Sequence, residues 1–150
     1  MTAEKIFPSS EWFSQLASSM MEKEPEYRRL GPMDCSMVVK VLNSEAEDRL
    51  FEVIFEVHSV ESIQEINDLT EASPEHFVIE ASLDAWRDMI ENIRTHRGAD
   101  LEHTLNYLTF PGVPMEVTGP DQLQTDTFYR YNLSIQEFFN GAANITTVYA

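Results

Sequence analysis

Histidine and carboxylate side chains cluster once in the sequence at a spacing that could bind a metal ion. His96, Asp100 and His103 are close along the chain, and imidazole and carboxylate groups are common zinc ligands. However, Gly98 interrupts the segment, and the spacing matches no zinc signature. We therefore predict neither a metal site nor a cofactor.

Other residues that could do chemistry have simpler interpretations. Asp84 and Asp88 lie one helical turn apart and could form an acid/base pair, but they occupy the face opposite Trp86 and Ile90, which predicts solvent exposure. Cys35 has no histidine close in sequence and fits a small apolar filler near the start of a strand. The sequence has no glycine-rich phosphate loop and no G-x-S-x-G elbow. We predict no catalytic residues and a protein that is not an enzyme.

Length and charge narrow the class of protein and its partners. The chain has 150 residues, 10 basic against 26 acidic side chains and a formal net charge of −16. This length favours a single domain over residues 1–150, with its core at about 9–142. The acidic balance argues against nucleic acid and against capture by an anionic membrane.

Targeting and membrane signals are also missing from the sequence. The single cysteine cannot form an intrachain disulfide, which fits a reducing compartment. The first residues lack the basic start and apolar run of a signal peptide, and no stretch approaches the roughly 20 apolar residues of a spanning helix. We expect a cytoplasmic protein without stable membrane insertion.

Hydrophobic periodicity predicts the elements that position these side chains. Alternating or continuous apolar residues predict strands at 36–42, 50–57, 60–66 and 75–81, with a short fifth strand at 115–118. Three- and four-residue apolar spacing predicts four helices: one capped by Ser9 and Ser10 that fades by Pro25, one from 83 to about 95, a short one at 100–108, and one at 121–141.

The resulting order is α-β-β-β-β-α-α-β-α. Sequential strands with short connections favour antiparallel hairpins, so we predict an α+β domain whose helices pack on a mostly antiparallel sheet. Val60 and Ile66 are expected on one side of the third strand, and the tail at 143–150 is expected to be polar.

Negative charge is concentrated in the predicted strands. Residues 45–80 carry eleven carboxylates and one basic side chain, Arg49, for a net charge of −10. Glu52 and Glu56 share the face of their strand opposite Phe51, Val53, Phe55 and Val57. This alternation predicts a solvated outer face, and a docking site for a basic partner is the alternative.

The last predicted helix is apolar over more than one face. Phe128, Tyr131, Ile135, Phe138 and Ala142 form one stripe, and Tyr129, Leu133 and Phe139 lie off it. Such a helix is sandwiched within the fold, packs on another subunit, or lines an apolar cavity.

The order of the predicted elements and several segments together are typical of one known family. The pattern begins at the opening helix with Trp12 and the hydrophobic hairpin. It is most specific at Phe77-Val-Ile-Glu-Ala-Ser-Leu-Asp-Ala-Trp86, a strand that runs into a helix, and it continues through Met115-Glu-Val-Thr-Gly119 to the helix over 121–141. In these features the sequence resembles the sterol carrier protein-2 (SCP-2) type lipid-binding domains.

The resemblance implies a five-stranded sheet with helices on one face and an apolar cavity between them. Such domains bind fatty acids, sterols or similar lipids without covalent chemistry. Carried onto this chain, the residues expected to line the cavity are Phe77, Ile79, Trp86, Ile90, Val113, Met115, Val117, Phe128, Tyr131, Ile135 and Phe138. The eukaryotic carriers are usually basic and peroxisomal, from which this acidic chain departs.

Three functions follow in order of preference. The first is non-catalytic binding of a fatty acid, sterol or similar lipid in the cavity, with Arg130, Arg87 or Tyr131 as candidate contacts for a polar head group. The second is a protein-interaction or dimerisation module with a collapsed cavity. In that case we expect the partner to be a second copy of the chain, in a homodimer. The third is a small-molecule enzyme that uses His96, Asp100 or His103.

Overall fold

The computed structural model describes residues 4–43, 45–109 and 114–150. Its elements, in chain order, are β1 (Glu4–Phe7), α1 (Ser10–Glu22), α2 (Glu24–Leu30), β2 (Cys35–Leu42), β3 (Arg49–Glu56), β4 (Ser59–Ile66), β5 (His76–Ser82), α3 (Leu83–His96), α4 (Leu105–Leu108), β6 (Glu116–Thr118), α5 (Gln122–Asn140) and β7 (Thr146–Tyr149). Single 3₁₀ turns occur at Leu69–Glu71, Leu101–His103 and Gly141–Asn144.

Five strands form the main sheet in the order β4-β3-β2-β5-β6. The pairs β3–β4, β2–β3 and β5–β6 are antiparallel, and β2–β5 is parallel. The predicted α+β class with a five-stranded, mostly antiparallel sheet is therefore confirmed. The parallel pair arises because β5 returns to the sheet beside β2 after the excursion through β3 and β4.

Three elements of the structure are absent from the predicted order. β1 and β7 pair in parallel as a separate two-stranded sheet, and the tail buries Ile145 and Thr147, so the expectation of a polar tail is wrong. The first predicted helix does not simply fade at Pro25, because α2 begins at Glu24 with the proline in its first turn. Proline is tolerated there since the first backbone N–H groups of a helix have no intrahelical partner.

The predicted helix over 100–108 is divided into two short pieces. Asp100 accepts a hydrogen bond from the backbone N–H of His103 and caps a 3₁₀ turn. Thr104 then accepts from the N–H of Tyr107 and caps α4. Two capping side chains four residues apart start two separate turns, and this prevents one continuous helix.

The main core lies between the helices and the inner face of the sheet. The inner face carries the buried side chains of Met37, Val39, Phe51, Val53, Phe77 and Ile79. The buried side chains of α1, α3 and α5 belong to the same cluster, which includes Trp12, Trp86 and Phe128. The helices therefore pack on one face of the sheet, because each has an apolar stripe that is buried against it.

The outer face of the sheet is only partly solvated, contrary to the prediction from alternation. Val38, Leu50, Ile66 and Val78 form a second buried cluster, and Ala72 from the segment between β4 and β5 packs against it. Glu52 is only 2% exposed. The chain at 67–75 folds back over this face, which a period-two pattern cannot reveal.

A β-bulge displaces the register of β4. Ile54 pairs with Ser62 but Phe55 pairs with Val60, which leaves Glu61 as the extra residue. Val60 therefore packs against the main core while Ile66 belongs to the outer cluster. The prediction that these two side chains share a side is wrong because one additional residue reverses the alternation.

Candidate functional site

The interior between α5 and the sheet contains the side chains that the sequence assigns to ligand binding. α5 begins at its cap, where the Asp121 carboxylate accepts a hydrogen bond from the backbone N–H of Gln124 at 3.0 Å. Phe128, Ile135 and Phe138 follow on one face and are buried. The Phe128 ring lies 5.8 Å from that of Phe77 on β5, in an edge-on arrangement.

The sheet and α3 form the opposite wall of this interior. Ile79 pairs with Val117 across β5 and β6. The indole of Trp86 in α3 donates a hydrogen bond to the backbone carbonyl of Lys40 at 3.2 Å, which satisfies the one polar atom of a buried ring. Ile90, one turn further along α3, is fully buried.

Ten of the eleven predicted ligand-binding residues lie in this one core. Eight of them are buried and two, Val117 and Tyr131, are partly buried and packed against the others; the eight are Phe77, Ile79, Trp86, Ile90, Met115, Phe128, Ile135 and Phe138. Val113 lies outside the described residues. The structure thus brings these ten side chains together in one packed cluster.

The helix α5 is also buried on the side away from its main stripe, one of the alternatives that the sequence leaves open, and the predicted lining residues do not include the side chains there. Phe139 lies off the main stripe, yet it is fully buried with its ring centroid 5.7 Å from that of Trp86 and 6.5 Å from that of Trp12. Phe7 packs edge-on to Trp12 at 4.7 Å. Residues 138 and 139 are both buried, so α5 is sandwiched within the fold at its carboxyl-terminal end.

Of the predicted head-group contacts, Arg87 and Arg130 are exposed, whereas Tyr131 is partly buried against the core. The Arg130 guanidinium lies 6.0 Å from the ring of Tyr131, and Arg87 lies 6.0 Å from the ring of Tyr149. Tyr149 belongs to β7 and donates a hydrogen bond to Glu91 at 2.6 Å. Arg87 therefore faces the terminal strand, and Arg130 faces the end of the sheet.

The described side chains that were considered for metal binding or other chemistry do not come together in one site. Nδ1 of His103 lies 2.6 Å from Asp100 Oδ1, while Nδ1 of His96 contacts the Asn92 carbonyl instead. Within residues 4–43, 45–109 and 114–150, no three His, Cys, Asp or Glu side chains lie close enough to hold a metal ion. Burial raises the pKa of the Cys35 thiol to about 12, with the Asp34 charge contributing, so the thiol stays protonated and unreactive.

Five clefts in the described part of the chain open to solvent. None of these five is lined by any of the ten predicted residues. One cleft of about 510 Å³ lies at the end of the sheet beside the first half of α5. Among the helices that the structure describes, none combines the length and the apolarity that crossing a bilayer requires.

Two solved structures superpose on nearly the whole chain. A conserved hypothetical protein from Thermus thermophilus, suggested to be a sterol carrier protein, matches with a TM-score of 0.67 at 16% identity, covering 99% of this chain and 94% of that one. Sterol carrier protein 2 matches with a TM-score of 0.64 at 16% identity, covering 91% of this chain and 97% of that one. The chain has the SCP-2-like fold. No protein-family model matches the sequence, and no curated protein matches it significantly.

The SCP-2-like fold accounts for the order of elements that the sequence shares with that family. The strand-to-helix passage at Phe77–Trp86 forms β5 and the start of α3, with Ser82 as the cap that accepts from the N–H of Ala85. At this level of identity the likeness concerns the fold, because folds host many functions.

Proposed function

We propose that this chain binds an apolar ligand, a fatty acid, a sterol or a similar lipid, between α5 and the inner face of the sheet, without catalysing a reaction. The observation that carries the proposal is the SCP-2-like fold with a layer of packed apolar and aromatic side chains at that position. Each buried methylene of a ligand contributes about 0.8 kcal/mol, so a long chain needs no strong polar contact.

The side chains of this layer are in contact, so the ligand must separate α5 from the sheet. The carboxyl-terminal half of α5 is tethered by hydrogen bonds: Gln136 accepts from the N–H of Leu105 at 2.6 Å and Asn140 accepts from the N–H of Ala99 at 3.2 Å. From Gln122 to Ile135, the side chains make no hydrogen bond to another described element. The amino-terminal half can therefore move away without leaving broken polar contacts.

The proposal is tested by native mass spectrometry and by uptake of a fluorescent fatty acid. We expect copurified lipid or saturable uptake, together with a rise in melting temperature when fatty acid is added. Only ligand-free protein, with neither a fatty acid nor a sterol changing the melting temperature, contradicts the proposal.

A variant that fills the layer adds a structural test. Val117 is partly buried on β6 and packs against the core, so Val117→Phe should occupy ligand volume and weaken uptake. Val148→Phe on β7, where the valine is exposed, is the matched control and should leave uptake unchanged. Equal uptake by both variants, each with an unchanged melting temperature, would place the ligand elsewhere.

The second candidate is an interaction or dimerisation module with a collapsed cavity. It is favoured by the close contact of the predicted lining residues and by Leu123, Tyr129 and Leu133, which α5 exposes to solvent. Phe139 belongs to the core and is unsuited to an interface test. Light scattering that shows a dimer, converted to a monomer by Leu133→Glu and accompanied by no lipid uptake, would favour this function.

A further inference from the structure

The cleft at the end of the sheet lies next to the apolar layer between α5 and the sheet. Its volume is about 510 Å³, and we call it the end cleft; its lining includes Cys35, Phe55, Leu123, Gln124, Thr127 and Arg130. We propose that the end cleft is the entrance to the apolar layer, and that the amino-terminal half of α5, residues 122–135, is the gate that opens it. This inference rests on the proposed function, because it concerns how the lipid reaches its site.

The floor of the end cleft belongs to the main core. Cys35 and Phe55 lie opposite each other on β2 and β3, so their side chains point to the same face of the sheet. Phe55 is only 2% exposed, and its ring is edge-on to that of Phe138 on α5, with 5.0 Å between the centroids. Phe138 is one of the residues predicted to contact the ligand. The Phe55 ring therefore borders the end cleft on one side and the predicted layer on the other.

The gate forms a wall of both the end cleft and the apolar layer. Four of its residues line the cleft at the spacing of one helical face, namely Leu123, Gln124, Thr127 and Arg130. None of the other four clefts described above is lined by α5. Phe128 belongs to the same half of the helix, and its ring packs on that of Phe77 in the layer. An outward movement of the gate would therefore join the cleft to the layer.

Packing holds the gate closed, without polar bonds from its side chains to other described elements. Its first turn fits closely on the preceding loop, where a Cβ on Gly119 would lie 3.0 Å from Gln124 Cβ and 3.3 Å from the His76 carbonyl oxygen. The capping hydrogen bond of Asp121 lies within the helix. The gate can therefore move as an intact helical segment, since no hydrogen bond of its side chains has to break.

The other half of α5 supplies the pivot. Gln136 accepts a hydrogen bond from the N–H of Leu105, and Asn140 accepts one from the N–H of Ala99. These two bonds fix the carboxyl-terminal half, so movement is confined to the turns before Gln136. Opening exposes apolar surface of the layer, and a bound lipid covers that surface again.

The test is a reversible cross-link across the end cleft, made in a Cys35→Ala background. Glu75→Cys and Leu123→Cys replace two exposed residues that line the cleft, one before β5 and one on the gate. A bifunctional methanethiosulfonate joins the two thiols, and the intact mass verifies the link. We expect the initial rate of fluorescent fatty acid uptake to fall by about tenfold or more, because the gate is held closed. Reduction of the cross-link should restore the rate.

The matched control is a cross-link between Arg97→Cys and Asn144→Cys in the same background. Both residues are exposed, their side chains are hydrogen-bonded at 3.4 Å, and they lie outside the end cleft and the gate. This cross-link should change the uptake rate less than about twofold. Melting temperatures establish that each cross-linked variant is folded.

A second variant spans the same cleft from another strand. Glu56→Cys at the end of β3, joined to Leu123→Cys, should reproduce the slow uptake. Uptake is measured at about 0.15 M salt, because the carboxylates that also line the cleft, among them Asp34 and Glu61, would otherwise repel an anionic probe.

Two results would overturn the proposal. One is an uptake rate that is equal before and after reduction in both variants that span the cleft. The other is equal slowing by the control cross-link, since any constraint on the chain would then have the same effect. If the reduced variants and the unmodified chain take up no fatty acid, the proposed function fails, and this inference fails with it. Saturable uptake that the cross-links do not slow rejects only the entrance, so the two failures are distinguishable.

Discussion

Glu52 is a carboxylate that the fold buries and fully surrounds with donors. It accepts hydrogen bonds from the Ser36 hydroxyl at 2.7 Å, from the Ser73 backbone N–H at 2.7 Å and from the Gln64 amide at 3.1 Å. These bonds connect three strands and the segment that covers the outer face. A buried charge is tolerated in a protein only with such partners.

We expect Glu52→Ala to lower the free energy of unfolding by about 2–4 kcal/mol, because donors to a charged group lose their acceptor while buried. Glu56→Ala, on the same strand but exposed, should change it by less than about 0.5 kcal/mol. Urea unfolding of both variants is the measurement. Equal effects would mean that the hydrogen bonds to Glu52 contribute nothing specific.

Val57 has a left-handed backbone conformation, which glycine and asparagine adopt more readily than valine does. It lies in the turn between β3 and β4 with a φ of +57°, where Cβ crowds the following carbonyl oxygen of an L-residue. The turn is held by hydrogen bonds from the Met33 N–H to the Val57 carbonyl and from the Val57 N–H to Asp34. The surrounding contacts therefore impose the conformation.

Replacement of Val57 by asparagine should relieve this strain. The side chain is 46% exposed, so little burial is lost, and asparagine adopts the left-handed region readily. We expect Val57→Asn to raise the free energy of unfolding by about 1 kcal/mol. Val148→Asn, an exposed valine within a strand, should lower it or leave it unchanged; a loss of stability in Val57→Asn contradicts the assignment of strain.

At the scale of elements, a hydrogen bond from one buried indole adds to the packing that holds the terminal strands on the core. The indole N–H of Trp12 in α1 donates to the Thr147 hydroxyl of β7 at 3.1 Å, and this bond is buried. Thr147→Val should cost about 1–2 kcal/mol of unfolding free energy, because the indole donor remains buried without an acceptor. Thr146→Val, one residue earlier and without a side-chain partner among the described residues, is the control; a similar cost in both contradicts the role of the hydrogen bond.

The elements that the sequence predicts have an apolar pattern within their own residues, whereas the strands that it does not predict depend on a partner at the other end of the chain. β2 to β5, α3 and α5 carry repeated apolar spacing within their own residues, and the predicted ends of each lie within two residues of those in the structure. β1 and β7 are four residues long, and each has its only strand partner in the described chain at the opposite terminus. No periodicity within four residues can identify such a pairing.

The candidate site could be predicted only in part for the same reason. Helical and strand periods place Phe77, Phe128 and Phe138 on buried faces, and the structure brings them into one core. The cleft at the end of the sheet joins Asp34, Glu61 and Gln124 from three distant segments. The bulge at Glu61 and the burial of Gln124 depend on packing, so no sequence pattern indicates them.

At the scale of the whole molecule, electrostatic repulsion opposes compaction. The net charge is −16, and the ion pair of Arg49 with Glu65 at 2.8 Å offsets only a small part of it. The Arg49 hydrogen bond lowers the pKa of Glu65, so the charged form is favoured in the folded state.

We therefore expect the melting temperature to rise as sodium chloride increases from about 0.01 M to about 1 M, because salt screens repulsion between exposed carboxylates. Differential scanning calorimetry at constant pH measures the change. Sucrose at matched osmolality is the control for effects unrelated to charge. A melting temperature that falls with salt would mean that attractive ion pairs dominate repulsion.

The parallel pairing of β1 with β7 determines how the molecule would respond to force. Glu4 lies beside Thr146 and Phe7 beside Tyr149. Because the strands are parallel, force that separates the amino end of β1 from the carboxyl end of β7 slides one strand along the other. The hydrogen bonds of the pair are then loaded together instead of opening in sequence. Stretched between its two ends, the chain should resist as a mechanical clamp, and the rupture force should fall when the Trp12–Thr147 contact is removed.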